Sequence, residues 1–115
     1  MITVKIGNKD YVIEFGLRAA YLIEDETKLT TTQIFEKFSE NELNLRLFGT
    51  LFYAGLKSRD RGVTIDRALN IIDQIGDDFA EIYSAVVKEY IESFTAKVKP
   101  PVADEDNAKN TQATV

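Results

Sequence analysis

The spacing of apolar residues changes once along this chain, and that change limits the possible folds strongly. On either side of a polar turn at residues 7–10, in segments 2–6 and 11–15, every second position has an apolar side chain. The apolar positions of this alternation are Ile2, Val4, Ile6, Tyr11, Ile13 and Phe15. A period of two is typical of β-strands, and a turn with Gly, Asn and Asp between two such runs predicts a β-hairpin. From residue 17 onward the apolar residues recur every three or four positions, which indicates helices.

Residues that can cap helices mark where these helices begin. Thr30 with Gln33, and Ser39 with Glu42, match the capping-box pattern, and Thr64 precedes a clean amphipathic segment. The predicted helices span residues 17–26, a segment opened by Thr30, residues 41–57, residues 65–75, and a segment opened by Asp78 and Glu81. We therefore expect a mainly α (α+β) fold, with an N-terminal β-hairpin followed by about five helices.

The helix predicted over residues 41–57 carries the longest apolar run and is expected to be central. Its apolar residues cover more than half of the helical circumference. The polar side holds Glu42, Arg46, Thr50 and Lys57. Gly49 and Gly55 lie inside this helix, where each costs roughly 1 kcal/mol relative to Ala. We therefore expect a neighbouring element to pack closely against both glycines.

The next two helices are predicted from their apolar stripes and from the turn between them. The predicted inward side of the first consists of Ile65, Ala68, Leu69, Ile72 and Ile75. Because the turn at residues 76–78 is short, we expect this helix and the last one to be antiparallel neighbours. The stripe of the last helix is roughly 180° wide, which is more than one neighbouring helix covers.

The composition changes near residue 97. Residues 97–115 contain Pro100 and Pro101 and no aromatic residue, which predicts a disordered tail after a hairpin-plus-helical domain at residues 1–96. Three lysines and three acidic residues cancel in this tail. The net charge of −5 therefore belongs to the domain.

Several classes of function are disfavoured by composition. The chain has no Cys and no His, which excludes disulfides, thiolate zinc sites and catalysis by Cys or His. The longest apolar run, at residues 47–56, is about half of the roughly 20 residues that a membrane span needs. The N-terminal segment lacks the pattern of a secretory signal, so the expected location is the cytoplasm. We expect no enzymatic activity, no cofactor, no metal site and no membrane partner.

The acidic residues do not form a recognisable site. Glu24, Asp25 and Glu26 are consecutive, so their side chains diverge around a helix and are better explained as a solvated helix end. The remaining aspartates lack the spacing of a calcium-binding loop. The segment at residues 64–76 could be the recognition helix of a DNA-binding motif. Its predicted exposed face, however, has two acids and one base and would repel phosphates, so we expect no nucleic-acid partner.

Aromatic and aliphatic residues are the better candidates for contacts with a partner. The candidates are Phe52, Tyr53 and Leu56 of the central helix and Tyr83 and Tyr90 of the last helix. Two interpretations of Tyr83 and Tyr90 stay open. They are core residues whose hydroxyls reach the rim, or they belong to a part of the stripe that a partner helix covers.

The order of these elements resembles the small tail assembly chaperones of long-tailed (siphovirus-type) bacteriophages. The resemblance covers about residues 1–96 and consists of hydrophobic patterns. The segments that carry it are ITVKI (2–6), YVIEF (11–15), LIEDET (22–27), LFYAGL (51–56) and VTIDRA (63–68). It implies a non-enzymatic protein that binds the tape measure protein and keeps it soluble while the tail tube polymerises. It also implies that the protein acts in the host cell cytoplasm and is absent from the mature virion.

The resemblance further implies that a longer form arises by ribosomal frameshifting near the end of the reading frame. Lys109 and Asn110 can be encoded by a slippery sequence and are the candidate frameshift position. The extended form and further copies of the chain are then candidate partners. A virion structural protein, such as a head–tail connector or a minor tail protein, is the alternative that the sequence leaves open.

Overall fold

The computed structural model describes residues 1–40 and 42–98. The elements are β1 (Ile2–Ile6), β2 (Lys9–Ile13), α1 (Leu17–Thr27), α2 (Thr31–Ser39), α3 (Leu45–Lys57), α4 (Ile65–Ile72) and α5 (Phe79–Val98). The predicted fold class, an N-terminal hairpin followed by helices, is confirmed. The sequence predicts a disordered tail over residues 97–115, whereas α5 continues to Val98. Residues 99–115 of that prediction, and the candidate frameshift position at Lys109 and Asn110, lie outside the described residues. No helix in the described part of the chain is long and apolar enough to span a bilayer.

The hairpin places its apolar face on the helices. β1 and β2 are antiparallel, with Ile2 opposite Ile13 and Ile6 opposite Lys9. The connecting turn begins at Gly7, whose φ of 64° is in the left-handed region that favours glycine. Val4, Ile6 and Ile13 are buried, so the alternation in the sequence separates a core face from a solvent face.

The helix α3 is the centre of the domain, as predicted. β2, α1, α4 and α5 all pack around it. A Cβ atom at Gly55 would lie 2.5 Å from Ile13 Cγ2, and one at Gly49 would lie 3.3 Å from Leu69 Cδ2. The expectation that neighbouring elements approach both glycines closely is confirmed.

The capping box at α2 is confirmed, and the one predicted for α3 is wrong. Gln33 N–H donates to Thr30 Oγ1 (3.1 Å), and Thr30 N–H donates to Gln33 Oε1 (2.9 Å). Ser39 instead ends α2, and its hydroxyl donates to the carbonyl of Glu36. The cap of α3 is Asn44, whose Oδ1 accepts from Leu47 N–H at 3.0 Å.

Thr50 corrects the predicted polar side of α3. The sequence predicts Thr50 on the solvent-exposed face of this helix, but its side chain is buried, at 7% exposure. Its hydroxyl donates to the carbonyl of Arg46 (3.0 Å), one helical turn earlier. Because the polar atom is satisfied within its own helix, the residue can be buried beside apolar neighbours.

The orientation of α4 differs from the predicted one. Ala68 and Ile71 point into the core, whereas Ile65 and Leu69 are exposed and not inward as predicted. Nor are α4 and α5 the predicted close neighbours, because each packs mainly against α3. Since α4 ends at Ile72, residues 73–78 connect the two helices, and this link is too long to form a tight turn between helices.

Candidate partner-binding groove

A groove between α3 and α4 is lined largely by exposed apolar side chains. Its walls are Leu45, Ile65 and Leu69, which are 57%, 41% and 49% exposed. The groove has a volume of about 360 Å³ and is open to solvent, and Gly49 and Thr50 also line it. Contiguous apolar side chains that stay in water are typical of contact surfaces.

The local sequence explains why this groove is apolar. Leu45 is the first residue of α3, and Ile65 and Leu69 lie one turn apart at the start of α4. Gly49 has no side chain to fill the space between the two helices. α4 therefore turns Ala68 and Ile71 inward and leaves a second apolar ridge facing the solvent.

Arg46 is the one charged residue that lines the groove, and it forms no ion pair within the described part of the chain. The groove walls are helices and offer no sheet edge, so a partner cannot add a strand here. An amphipathic helix with apolar side chains at spacings of three and four fits such a surface. An acidic residue beside those side chains would pair with Arg46.

Three of the five predicted contact residues are buried, which corrects their assignment to a partner surface. Phe52 and Tyr90 have no exposed surface, and Leu56 is buried as well. The burial of these three side chains results from tertiary packing. α3 is enclosed by four elements, and the Tyr90 ring is covered by Phe35 at 5.6 Å and Phe15 at 5.5 Å between ring centroids.

Tyr53 and Tyr83, in contrast, are half-buried and remain accessible in part. The Lys57 ammonium lies 5.7 Å from the centroid of the Tyr53 ring. The Tyr83 hydroxyl accepts a hydrogen bond from Asn44 N–H at 3.1 Å. Tyr83 also borders a shallow depression on α5 that includes Val87 and Ile91, so part of the stripe on α5 is not covered within the domain.

The hydroxyl of Tyr90 is buried without a hydrogen bond. Among the described residues no group meets it with hydrogen-bond geometry, and the nearby Thr31 hydroxyl donates to Glu24 at 2.8 Å. Burial raises the pKa of Tyr90 to about 12, an effect that Thr31 opposes and the Glu24 carboxylate reinforces. Of the two tyrosines in the stripe of α5, only Tyr83 therefore has a hydroxyl hydrogen bond of good geometry among the described residues, because the contact of Tyr90 with Thr31 falls outside that geometry.

This difference predicts opposite outcomes for two matched substitutions. Tyr83→Phe loses the hydrogen bond from Asn44 and should lower the free energy of unfolding by about 1 kcal/mol. Tyr90→Phe removes an unpaired buried polar atom and should leave the free energy of unfolding unchanged or raise it, by up to about 1–3 kcal/mol. Urea denaturation of both variants tests this. Equal destabilisation by the two substitutions would show that the Tyr90 hydroxyl has a partner.

The sequence contained one signal for the groove. Apolar residues at positions 65, 68, 69, 71 and 72 occupy more of α4 than one buried face needs. In the described part of the chain, no group of three or more acidic residues could hold a metal ion. No family model, curated protein or solved structure matches this chain.

Proposed function

We propose that this protein is a tail assembly chaperone of a long-tailed bacteriophage, which binds the tape measure protein and keeps it soluble during tail assembly. The observation that carries the proposal is the α3–α4 groove, where three aliphatic side chains remain exposed. The order of elements, a hairpin and then helices, is the one on which the resemblance to these chaperones depends.

The proposed mechanism is stoichiometric binding without chemistry. Apolar side chains of a helical client segment enter the groove, and each Å² removed from water contributes roughly 25 cal/mol. Arg46 pairs with an acid of the client. Tyr53 and Tyr83 are secondary contact candidates, since half-buried tyrosines combine an apolar ring with a polar tip. The negative net charge keeps the complex dispersed in the host cytoplasm.

Co-expression with the tape measure protein from the same genome tests the proposal. We expect the wild-type chain to raise the soluble fraction of the tape measure protein, and the double variant Leu45→Ser, Leu69→Ser to lose most of this effect. Leu17→Ser is the matched control, because Leu17 is 69% exposed on α1 and does not line the groove. If the wild-type chain leaves the solubility of the tape measure protein unchanged, the chaperone proposal is wrong.

The alternative, a virion structural protein, differs in where the protein is found after assembly. A chaperone is expected in infected-cell lysate and absent from purified particles, whereas a connector or minor tail protein is present in both. Mass spectrometry of purified particles separates the two. Detection at the copy number of a structural ring would favour the alternative.

A further inference from the structure

A second cavity, between the start of α1 and the end of α3, collects positive charges in a chain whose net charge is negative. Arg18, Lys57 and Arg61 line it together with Ser58, and no acidic residue does. The cavity has a volume of about 150 Å³, and its apolar part includes Ala19 and Leu22. The chain as a whole has a net charge of −5. The lining of this cavity, with three cations and no acidic residue, therefore has the opposite sign of charge.

None of these three cations is neutralised within the described part of the chain. The ion pairs there include Arg59 with Glu14 and Lys28 with Asp25, and none involves the cavity. The Lys57 ammonium donates to the carbonyls of Arg61 (2.8 Å) and Val63 (3.4 Å). These contacts hold the ammonium in place, but carbonyl groups carry no net charge, so its positive charge persists.

The two arginines have unused hydrogen-bonding capacity. Both are exposed, and their guanidinium groups make no hydrogen bond with the described residues. A guanidinium group presents a planar fork of donors that matches the oxygens of a carboxylate or a phosphate. Arg18 also lies in the first turn of α1, where no acidic residue offsets it. Because Lys57 lines the same cavity, an anion bound there would face three positive charges.

We propose that this cavity is a binding site for an oxyanion group, a carboxylate or a phosphate, with Arg18 and Arg61 as its paired donors and Lys57 as a fixed cation. The apolar part of the cavity accepts a short non-polar portion of the same ligand. This site is separate from the α3–α4 groove, and its existence does not depend on the proposed chaperone function.

Nuclear magnetic resonance titration of the full chain tests the site, with inorganic phosphate and succinate as separate probes at constant pH and ionic strength. We expect saturable shifts in the backbone amides of residues 16–19 and 57–61. Arg18→Gln and Arg61→Gln should each raise the dissociation constant about tenfold, as expected for losing one charge-assisted pair. Arg46→Gln is the matched control, since it removes the same charge from the other groove.

Each result of this titration decides the proposal. Saturation by phosphate alone, by succinate alone or by both supports the site and identifies the class of oxyanion that it accepts. Shifts that do not saturate, or that spread over cations elsewhere on the surface, overturn it. Equal weakening by Arg46→Gln also overturns it, because the binding would then reflect overall charge. The spectrum of each variant before titration verifies that the fold is retained.

Discussion

Replacing Phe52 by Ala is expected to lower the free energy of unfolding by about 3–5 kcal/mol. Phe52 is fully buried on the central helix, and its ring centroid lies 5.9 Å from that of Phe48. The substitution removes a large apolar side chain and leaves a cavity that the enclosing elements cannot fill. Domains of this size are stabilised by roughly 5–15 kcal/mol, so a large share of the total would be lost.

Guanidinium denaturation followed by circular dichroism measures this loss, and Tyr53→Ala is the matched control at the next position. Tyr53 is half-buried, so its truncation should cost clearly less. A decrease in the free energy of unfolding below about 1 kcal/mol for Phe52→Ala would be typical of a surface position. It would support the assignment of Phe52 as a partner contact. Because Phe52 is a core residue, we expect this variant to lose client binding only in proportion to its loss of folded protein.

Replacing Gly55 by Ala is the second large destabilisation that we expect. The new Cβ would lie 2.5 Å from Ile13 Cγ2 and 3.2 Å from two ring atoms of Phe15. Both neighbours are buried and cannot move away cheaply. Overpacking of this kind costs about 1–3 kcal/mol or more, which exceeds the roughly 1 kcal/mol that Ala gains over Gly in a helix. Displacing β2 would also stretch the 3.2 Å hydrogen bond from Glu14 N–H to the Gly55 carbonyl.

Gly49→Ala in the same helix is the control for this prediction. Its Cβ would meet only Leu69 Cδ2, at 3.3 Å, and Leu69 is a half-exposed side chain that can turn aside. We therefore expect Gly49→Ala to be neutral or to stabilise the domain, by up to about 1 kcal/mol. Thermal unfolding of both variants provides the comparison. Equal changes in the two melting temperatures would contradict the close approach of the hairpin at Gly55.

Features that depend on a few neighbouring residues were predictable. The hairpin follows from alternation around a turn with Gly7, because strand side chains point alternately to two faces. The capping box of Thr30 and Gln33 needs only residues three positions apart. Gly55 inside an apolar helix indicated a close neighbour before the identity of that neighbour, Ile13, was known.

Features that depend on which elements pack together were not predictable in the same way. Ser39 with Glu42 satisfies the same capping pattern as Thr30 with Gln33, yet Asn44 begins α3. α4 buries Ala68 and Ile71 and leaves Leu69 exposed, although the apolar pattern includes all three. Whether Tyr90 contacts a partner or fills the core depends on α2, which brings Phe35 and Phe38 over it.

Local pattern alone therefore established the hairpin, the helices and the absence of Cys and His chemistry, because each depends on residue type and short-range spacing. Only the packing of α1, α4, α5 and β2 around α3 decided which apolar residues lie inside and which line the α3–α4 groove. The same packing brought Arg18 of α1 to one cavity with Lys57 and Arg61. Burial and charge clustering depend on contacts between residues far apart in sequence, and the periodicity within one helix does not specify which of its apolar residues those contacts cover.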